Sequence, residues 1–299
     1  MTEVEHAGRV GVFGATSLVG ACLLPTLVAA GWPVTAWTRQ SPGPDADGVQ
    51  WRSLGDAAAV VSSASGQHIA SWICVAPIWV LPAYFKMLEA HGARRVVALS
   101  STSRFTKDDS SDLQEQAIAR RLVEAEEQLQ DWAQQRGIEW VILRPTLIYG
   151  LGRDKNVAEI ARVIRRFGIF PLFGKATGLR QPVHAADVAQ ACSAALRSPT
   201  AANRTYNIAG GETLGYREMV SRIFSALGRT PRLVTVPLWL FAAMVMLLRR
   251  LPRYRQWTTA MAQRMNRDLV FDHAEAMRDL SFRPRPFAPS AADVDEKRR

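Results

Sequence analysis

Cysteine is scarce in this chain of 299 residues: Cys22, Cys74 and Cys192 lie far apart, each among apolar or small neighbours. No two form a C-x-x-C pair, so no metal site is expected and the thiols read as buried side chains in a reducing cytosol. Long apolar runs are missing too. The longest, Val236 to Leu248, falls short of the roughly 20 residues that cross a bilayer. The stretch Met1 to Arg9 is polar and lacks the apolar core of a secretory signal. Acidic residues are the minority charge, 27 against 37 Lys and Arg, for a net charge of +10. The excess arginines are scattered, with some concentration at Arg249, Arg250, Arg253 and Arg255. Such a distribution does not predict a nucleic-acid groove. It predicts attraction to phosphorylated small molecules or to an anionic membrane surface.

What is present is an ordinary globular composition, 48% apolar and 21% charged, with length enough for a large core and no repeats. Strand-like and helix-like segments alternate from the start. Arg9 to Phe13, Val34 to Thr38, Ser71 to Ala76, Arg95 to Leu99 and Ile138 to Leu143 read as strands. Leu18 to Ala30, Ile78 to Ala90 and Leu113 to Gln135 read as helices between them, and Gln40 to Gly48 as a polar loop. This rhythm predicts an α/β fold, a Rossmann-type doubly wound parallel sheet with ligands at the carboxyl ends of its strands. Past Gly150 the rhythm loosens into helices near 156–167, 185–197 and 216–227 and a strand at 205–208. The expected division is a dinucleotide-binding unit over 1–150 and a smaller substrate lobe over 151–299, of which about 180–210 returns to the sheet. The polar tail after Ala288 is expected to fray.

Between the first strand and the first helix stands Gly14-Ala15-Thr16-Ser17-Leu18-Val19-Gly20. Small residues with free N–H groups at a helix N-terminus let the backbone approach a diphosphate, which predicts NAD(H) or NADP(H) as cofactor. An acidic residue ending the second strand would bind the adenosine ribose of NAD. Thr38-Arg39 stands there instead, and Arg39 suits a 2′-phosphate, which favours NADP with NAD still open.

The turn resembles the G-x-x-G-x-x-G of extended and atypical short-chain dehydrogenases/reductases, the group that includes nucleotide-sugar epimerases and dehydratases, with Ser17 replacing the middle glycine. Ala76-Pro77 is similar to the small-residue wall that lines the cofactor there. Leu99-Ser100-Ser101-Thr102 resembles the strand end carrying the catalytic Ser/Thr, a role that falls on Thr102, with Ser100 beside the cofactor. Arg144-Pro145-Thr146-Leu147-Ile148-Tyr149-Gly150 matches the family's R-P-x-x-x-Y-G, whose backbone, here at Pro145, lies against the nicotinamide. Arg180 to His184, followed by Asp187-Val188-Ala189, is similar to the segment whose arginine, here Arg180, holds a nucleotide-sugar phosphate.

One departure outweighs these matches. The family transfers protons with a Y-x-x-x-K pair on the long helix, and none of the five tyrosines here has a lysine four residues later. Counting back from Arg144 puts the tyrosine's place near Gln116 or Ala117 and the lysine's near Arg120 or Arg121. Arg121 suits a ribose or phosphate, but a guanidinium with a pKa above about 12 is no proton shuttle. Tyr149, Asp109 and His184 remain as other acids or bases, although His184, beside Val183 and two alanines, reads first as a core or helix-start residue.

Two functions lead, and a third, an isomerase-like reductase of lipid-linked or steroid-like substrates, would explain the apolar run that starts at Leu238. One is an NAD(P)-dependent oxidoreductase or epimerase acting by hydride transfer on a nucleotide sugar or similar carbonyl/alcohol substrate. The other is a catalytically silent NAD(P)-binding sensor or assembly protein. The run Leu238 to Leu248 with its trailing arginines suits a peripheral membrane contact, a cover over an apolar substrate, a buried helix or a homodimer contact. The expected location is cytoplasmic, or peripheral to the inner face of a membrane.

Overall fold

The computed structural model describes residues 8–39, 44–45, 47–55, 68–108, 110, 112–240 and 264–295. The chain runs through β1 (Val10–Phe13), α1 (Leu18–Ala29), β2 (Val34–Thr38), β3 (Val49–Ser53), β4 (Ser71–Cys74), a 3-10 segment (Ile78–Tyr84), α2 (Phe85–Ala90), β5 (Arg95–Leu99), α3 (Ser103–Thr106), α4 (Leu113–Arg136) and β6 (Glu139–Pro145). It continues through β7 (Ile148–Tyr149), α5 (Val157–Phe167), β8 (Phe170–Phe173), β9 (Leu179–Arg180), β10 (Val183–His184), α6 (Ala185–Arg197), β11 (Arg204–Ile208), β12 (Leu214–Gly215), α7 (Tyr216–Ala226), β13 (Leu233–Val236), α8 (Ala274–Asp279) and α9 (Ala291–Val294).

The main sheet has seven strands in the order β11-β6-β5-β4-β1-β2-β3, and every neighbouring pair is parallel. Parallel strands need crossovers, and crossover helices bury both faces, so the strands read as continuous apolar runs. β1 (VGVF) and β2 (VTAWT) are buried throughout. On one face Val10 and Val12 pack with Leu23 and Leu27 of α1 and with Val188 and Cys192 of α6. On the other, Phe13 and Trp72 share a cluster with Leu122 and Leu129 of α4. The α/β fold expected from the alternation is the fold found.

From β1 the order grows in both directions, to β2 and β3 on one side and to β4, β5 and β6 on the other. The crevice outside the carboxyl ends of β1 and β4 is therefore the topological switch point, and the turn Gly14–Gly20 opens into it. A separate cluster, with Ile160 of α5, Leu172 of β8 and Ile223 of α7, forms the core of the lobe above.

Three local expectations need correction. Residues 49–53 form β3, an edge strand whose outer half is exposed and so carries little apolar signal. Ile78–Ala90 is not one α-helix, because Pro82 lacks an N–H donor and the first half tightens into a 3-10 segment. The tail does not fray at Ala288: Ser290 and Asp293 close a capping box on α9, and Asp293 is buried.

Leu238, Trp239 and Leu240, which follow β13, are exposed. The rest of the apolar run, with Arg249, Arg250, Arg253 and Arg255, lies outside the described residues. Among the described residues no helix is long and apolar enough to cross a membrane, and no cluster suits a metal ion.

Candidate active site

The turn after β1 is built by close approach. Gly14 adopts φ +77°, and a Cβ there would lie 2.4 Å from the amide nitrogen of Ala76. Val75 and Ala76 thus abut the turn. A Cβ on Gly20 would lie 2.3 Å from the carbonyl oxygen of Ala15, so α1 starts hard against the loop. Ser17 fits where the family has glycine because its backbone is extended (φ −69°, ψ 170°) and its hydroxyl caps α1, accepting the Gly20 N–H at 3.0 Å. The Ser17 N–H is spent on the Gly14 carbonyl. Leu18 and Val19 stand in the first turn of α1, whose N–H groups have no acceptor within the helix and form its positive end. Arg39 is exposed at the end of β2.

A cleft of about 690 Å³ opens between the ends of β5 and β6 and the upper lobe, and no residue of the Gly14–Gly20 turn lines it. Thr102 lines it, with its hydroxyl donating to the Pro145 carbonyl at 3.2 Å. Its lone pairs remain to accept from a substrate hydroxyl. Arg180 lines the same cleft from β9, buried, donating to the carbonyls of Leu179, Arg267 and Arg264 and facing the Tyr216 ring at 5.4 Å. It has no carboxylate partner among the described residues, and burial lowers its pKa from the usual arginine value. Lys107, Lys155 and Arg264 bring further positive charge to the walls, against a single carboxylate, Glu159. Burial, and then the nearby Arg264 guanidinium, push the Lys107 ammonium below the ordinary lysine range. Arg264 is ion-paired with Glu115 of α4, which leaves Arg180, Lys107 and Lys155 against Glu159, a cationic excess suited to an anionic ligand.

Ser100 and Arg121 do not reach this cleft. The Ser100 hydroxyl donates to Glu126 of α4, and Arg121 is exposed with its guanidinium 4.6 Å from the Trp79 ring centre. Gln116 donates to the Ser110 carbonyl at 2.8 Å, and Ala117 is exposed. The whole of α4 contains no tyrosine, lysine or histidine.

The substitute proton donors fare no better. Tyr149 is 1% exposed, wedged edge-on between His184 and Phe287, and burial pushes its hydroxyl up to about 12. His184 accepts the Ala186 N–H through Nδ1, which leaves the proton on Nε2 to donate to Asp293 at 3.1 Å; it caps α6. Asp109 lies outside the described residues.

Two residues that organise the site carried no motif. Glu126 is buried and accepts from Ser100, Arg104 and Arg144, fastening α4 to β6. Asp293 is buried near α6 and accepts from His184, Ser290 and the Leu151 N–H. Burial alone would raise its pKa, but those hydrogen bonds outweigh it and hold the carboxyl well below the usual aspartate range. A depressed folded pKa contributes stability that is complete above an unfolded value near 4 and is lost as pH falls toward the folded one. Asp293→Ala should thus cost about 2 kcal/mol at pH 7. In urea unfolding, its difference from wild type should shrink below about pH 4; a constant difference would contradict this assignment.

Residues 84–209 match the NAD dependent epimerase/dehydratase family. A UDP-glucose 4-epimerase of Vibrio cholerae is 32% identical over 119 residues, covering 40% of this chain and 36% of that protein. The mitochondrial NADH dehydrogenase [ubiquinone] 1 alpha subcomplex subunit 9 of Arabidopsis thaliana is 29% identical over 107 residues, 36% of this chain and 26% of that one. The chain therefore aligns with only about a third of these relatives' length or less. In structure, UDP-glucuronic acid 4-epimerase from Bacillus cereus, in complex with NAD, superposes with a TM-score of 0.70 at 14% identity, covering 96% of this chain and 95% of that one. That likeness establishes the fold.

Proposed function

We propose that this protein binds a nicotinamide dinucleotide at Gly14–Gly20 and acts as an oxidoreductase or epimerase on a nucleotide sugar or similar carbonyl/alcohol substrate. The observation that carries the reading is the presence, at the carboxyl ends of one parallel sheet, of a close-packed glycine turn after β1 and of a cationic cleft lined by Thr102 and Arg180. On this reading residues 1–150 seat the cofactor, with Ala76, Pro77 and the Pro145 backbone as its walls, and 151–299 supply the substrate lobe. Arg39 favours NADP over NAD through the 2′-phosphate. A bound nicotinamide supplies or withdraws hydride at the substrate carbon. Thr102 orients the reacting oxygen, and Arg180 and Lys155 hold the substrate's phosphates.

The proton falls to the Lys107 Nζ, which lines the cleft, since Tyr149 is buried against Phe287, His184 is bonded to Asp293 and α4 carries no tyrosine, lysine or histidine. Nζ takes the alcohol proton on oxidation and returns it on reduction. Oxidation then requires neutral lysine and should rise with pH, at lower pH than free lysine with its pKa of about 10.4 would allow. Lys107→Met should lower turnover by about a hundredfold or more while dinucleotide affinity stays unchanged. Unaltered turnover would remove Lys107 from the reaction.

The absence of tyrosine, lysine and histidine from α4 favours a second reading, a silent NAD(P)-binding protein that docks through its exposed Leu238–Leu240 corner. Incubation with NADPH or NADP and a panel of UDP-sugars separates the two. Cofactor binding without turnover of any sugar supports the silent protein, and a product supports the enzyme.

A further inference from the structure

Beyond β7 the backbone makes an unusual bend: Gly150, Leu151 and Gly152 take φ of +136°, +54° and +61° in succession. For Leu151 this left-handed conformation costs about 1–3 kcal/mol and persists only where the surroundings impose it. Two carboxylates do so. Asp154 accepts the Gly150, Asn156 and Ala158 N–H groups, and Asp293 takes the Leu151 N–H on its side chain and the Gly152 N–H on its carbonyl. The product of the bend is the placement of Arg153. Its Nη2 reaches across 137 residues of sequence to the carbonyl oxygen of Thr16, at 3.0 Å, inside the glycine-rich turn.

That carbonyl is a modest partner for a guanidinium. Arg153 is exposed and makes no ion pair with a described carboxylate, while the nearby Arg285 is tied to Asp187 at 2.8 Å. A phosphate offers the same fork two charged oxygens and a much stronger hydrogen bond. We propose that Arg153 closes over the diphosphate of a dinucleotide seated at Gly14–Gly20, exchanging the Thr16 carbonyl for phosphate oxygens. The inference rests on the reading that this turn seats a dinucleotide, and it adds a binding residue contributed from outside the first 150 residues.

The test is direct titration of the full chain with NADH and with NADPH, followed by nicotinamide fluorescence, for wild type, Arg153→Ala, Arg153→Lys and Arg39→Ala. Thermal melting of each variant checks that the fold is kept, which exposure of Arg153 favours. Arg153→Ala should weaken both dinucleotides equally, by about tenfold to a hundredfold, and Arg153→Lys should recover part of the loss. Arg39→Ala should weaken NADPH alone. Wild-type affinity in Arg153→Ala, or a loss confined to NADPH, overturns the role of Arg153 while leaving the cofactor site standing. Failure of the wild-type protein to bind either dinucleotide overturns both.

Discussion

Gly14→Ala is expected to abolish dinucleotide binding, with a loss of at least a hundredfold. The new methyl would meet the Ala76 amide nitrogen at 2.4 Å and the Val75 carbonyl carbon at 2.8 Å, backbone atoms just past β4 that are tied to β1 by the Val75 N–H donating to the Phe13 carbonyl. Neither can retreat without breaking the sheet at its switch point, so the turn must open instead. The positive φ adds about 1–3 kcal/mol of strain for any residue with a Cβ. Gly31→Ala supplies the control. Gly31 has nearly the same φ, +80°, but no atom lies within 4 Å of its would-be Cβ. It should lose only the backbone strain and bind as wild type. Fluorescence titration of both variants measures the contrast, and equal affinity in Gly14→Ala would unseat the cofactor from this turn.

The second large effect concerns Glu126, 1% exposed beneath the carboxyl ends of β5 and β6. Its carboxylate meets Arg144 through Nε and Nη2, the latter at 2.5 Å, and also Arg104. Removing one partner of a buried ion pair leaves the other charges uncompensated, which costs about 3–5 kcal/mol. Glu126→Ala should lose that much in urea unfolding, a large fraction of a domain's stability. Joint replacement, Glu126→Met with Arg144→Met, should recover most of it, because apolar side chains need no charge partner. A loss below about 1 kcal/mol in the single variant would show the network to be solvated and energetically idle.

The parts of this architecture that were legible in the sequence share a local cause. The runs at Val10–Phe13 and Val34–Thr38 lie inside a sheet covered on both faces, so every position had to be apolar or small. Gly14 and Gly20 declare their backbone constraints through their identity alone. Helices such as α6 begin and end where expected because their caps are encoded within a few residues. What stayed hidden depends on partners distant along the chain. Glu126 looks like one of several surface glutamates on α4 until Arg144 and Arg104 fold over it. Asp293 sits in a polar tail that composition alone would set loose, and only the distant His184 and Leu151 give it a place. Ser100 and Arg121 illustrate the converse. A family resemblance puts them near the cofactor, but the side-chain contacts of this chain turn one inward to a carboxylate and leave the other on a tryptophan.

The return of α6 and β11 to the main sheet has a mechanical corollary. Because β11 zips onto β6 over five residues, the polypeptide passes from one half of the molecule to the other more than once. A fragment cut after Gly150 would strip β6 of its neighbour and leave Val141, Ile142 and Leu143 on an open, sticky rim. Relative movement of the halves is accordingly restricted to sliding of packed helices, since a body tethered by several strands has no single pivot about which to swing.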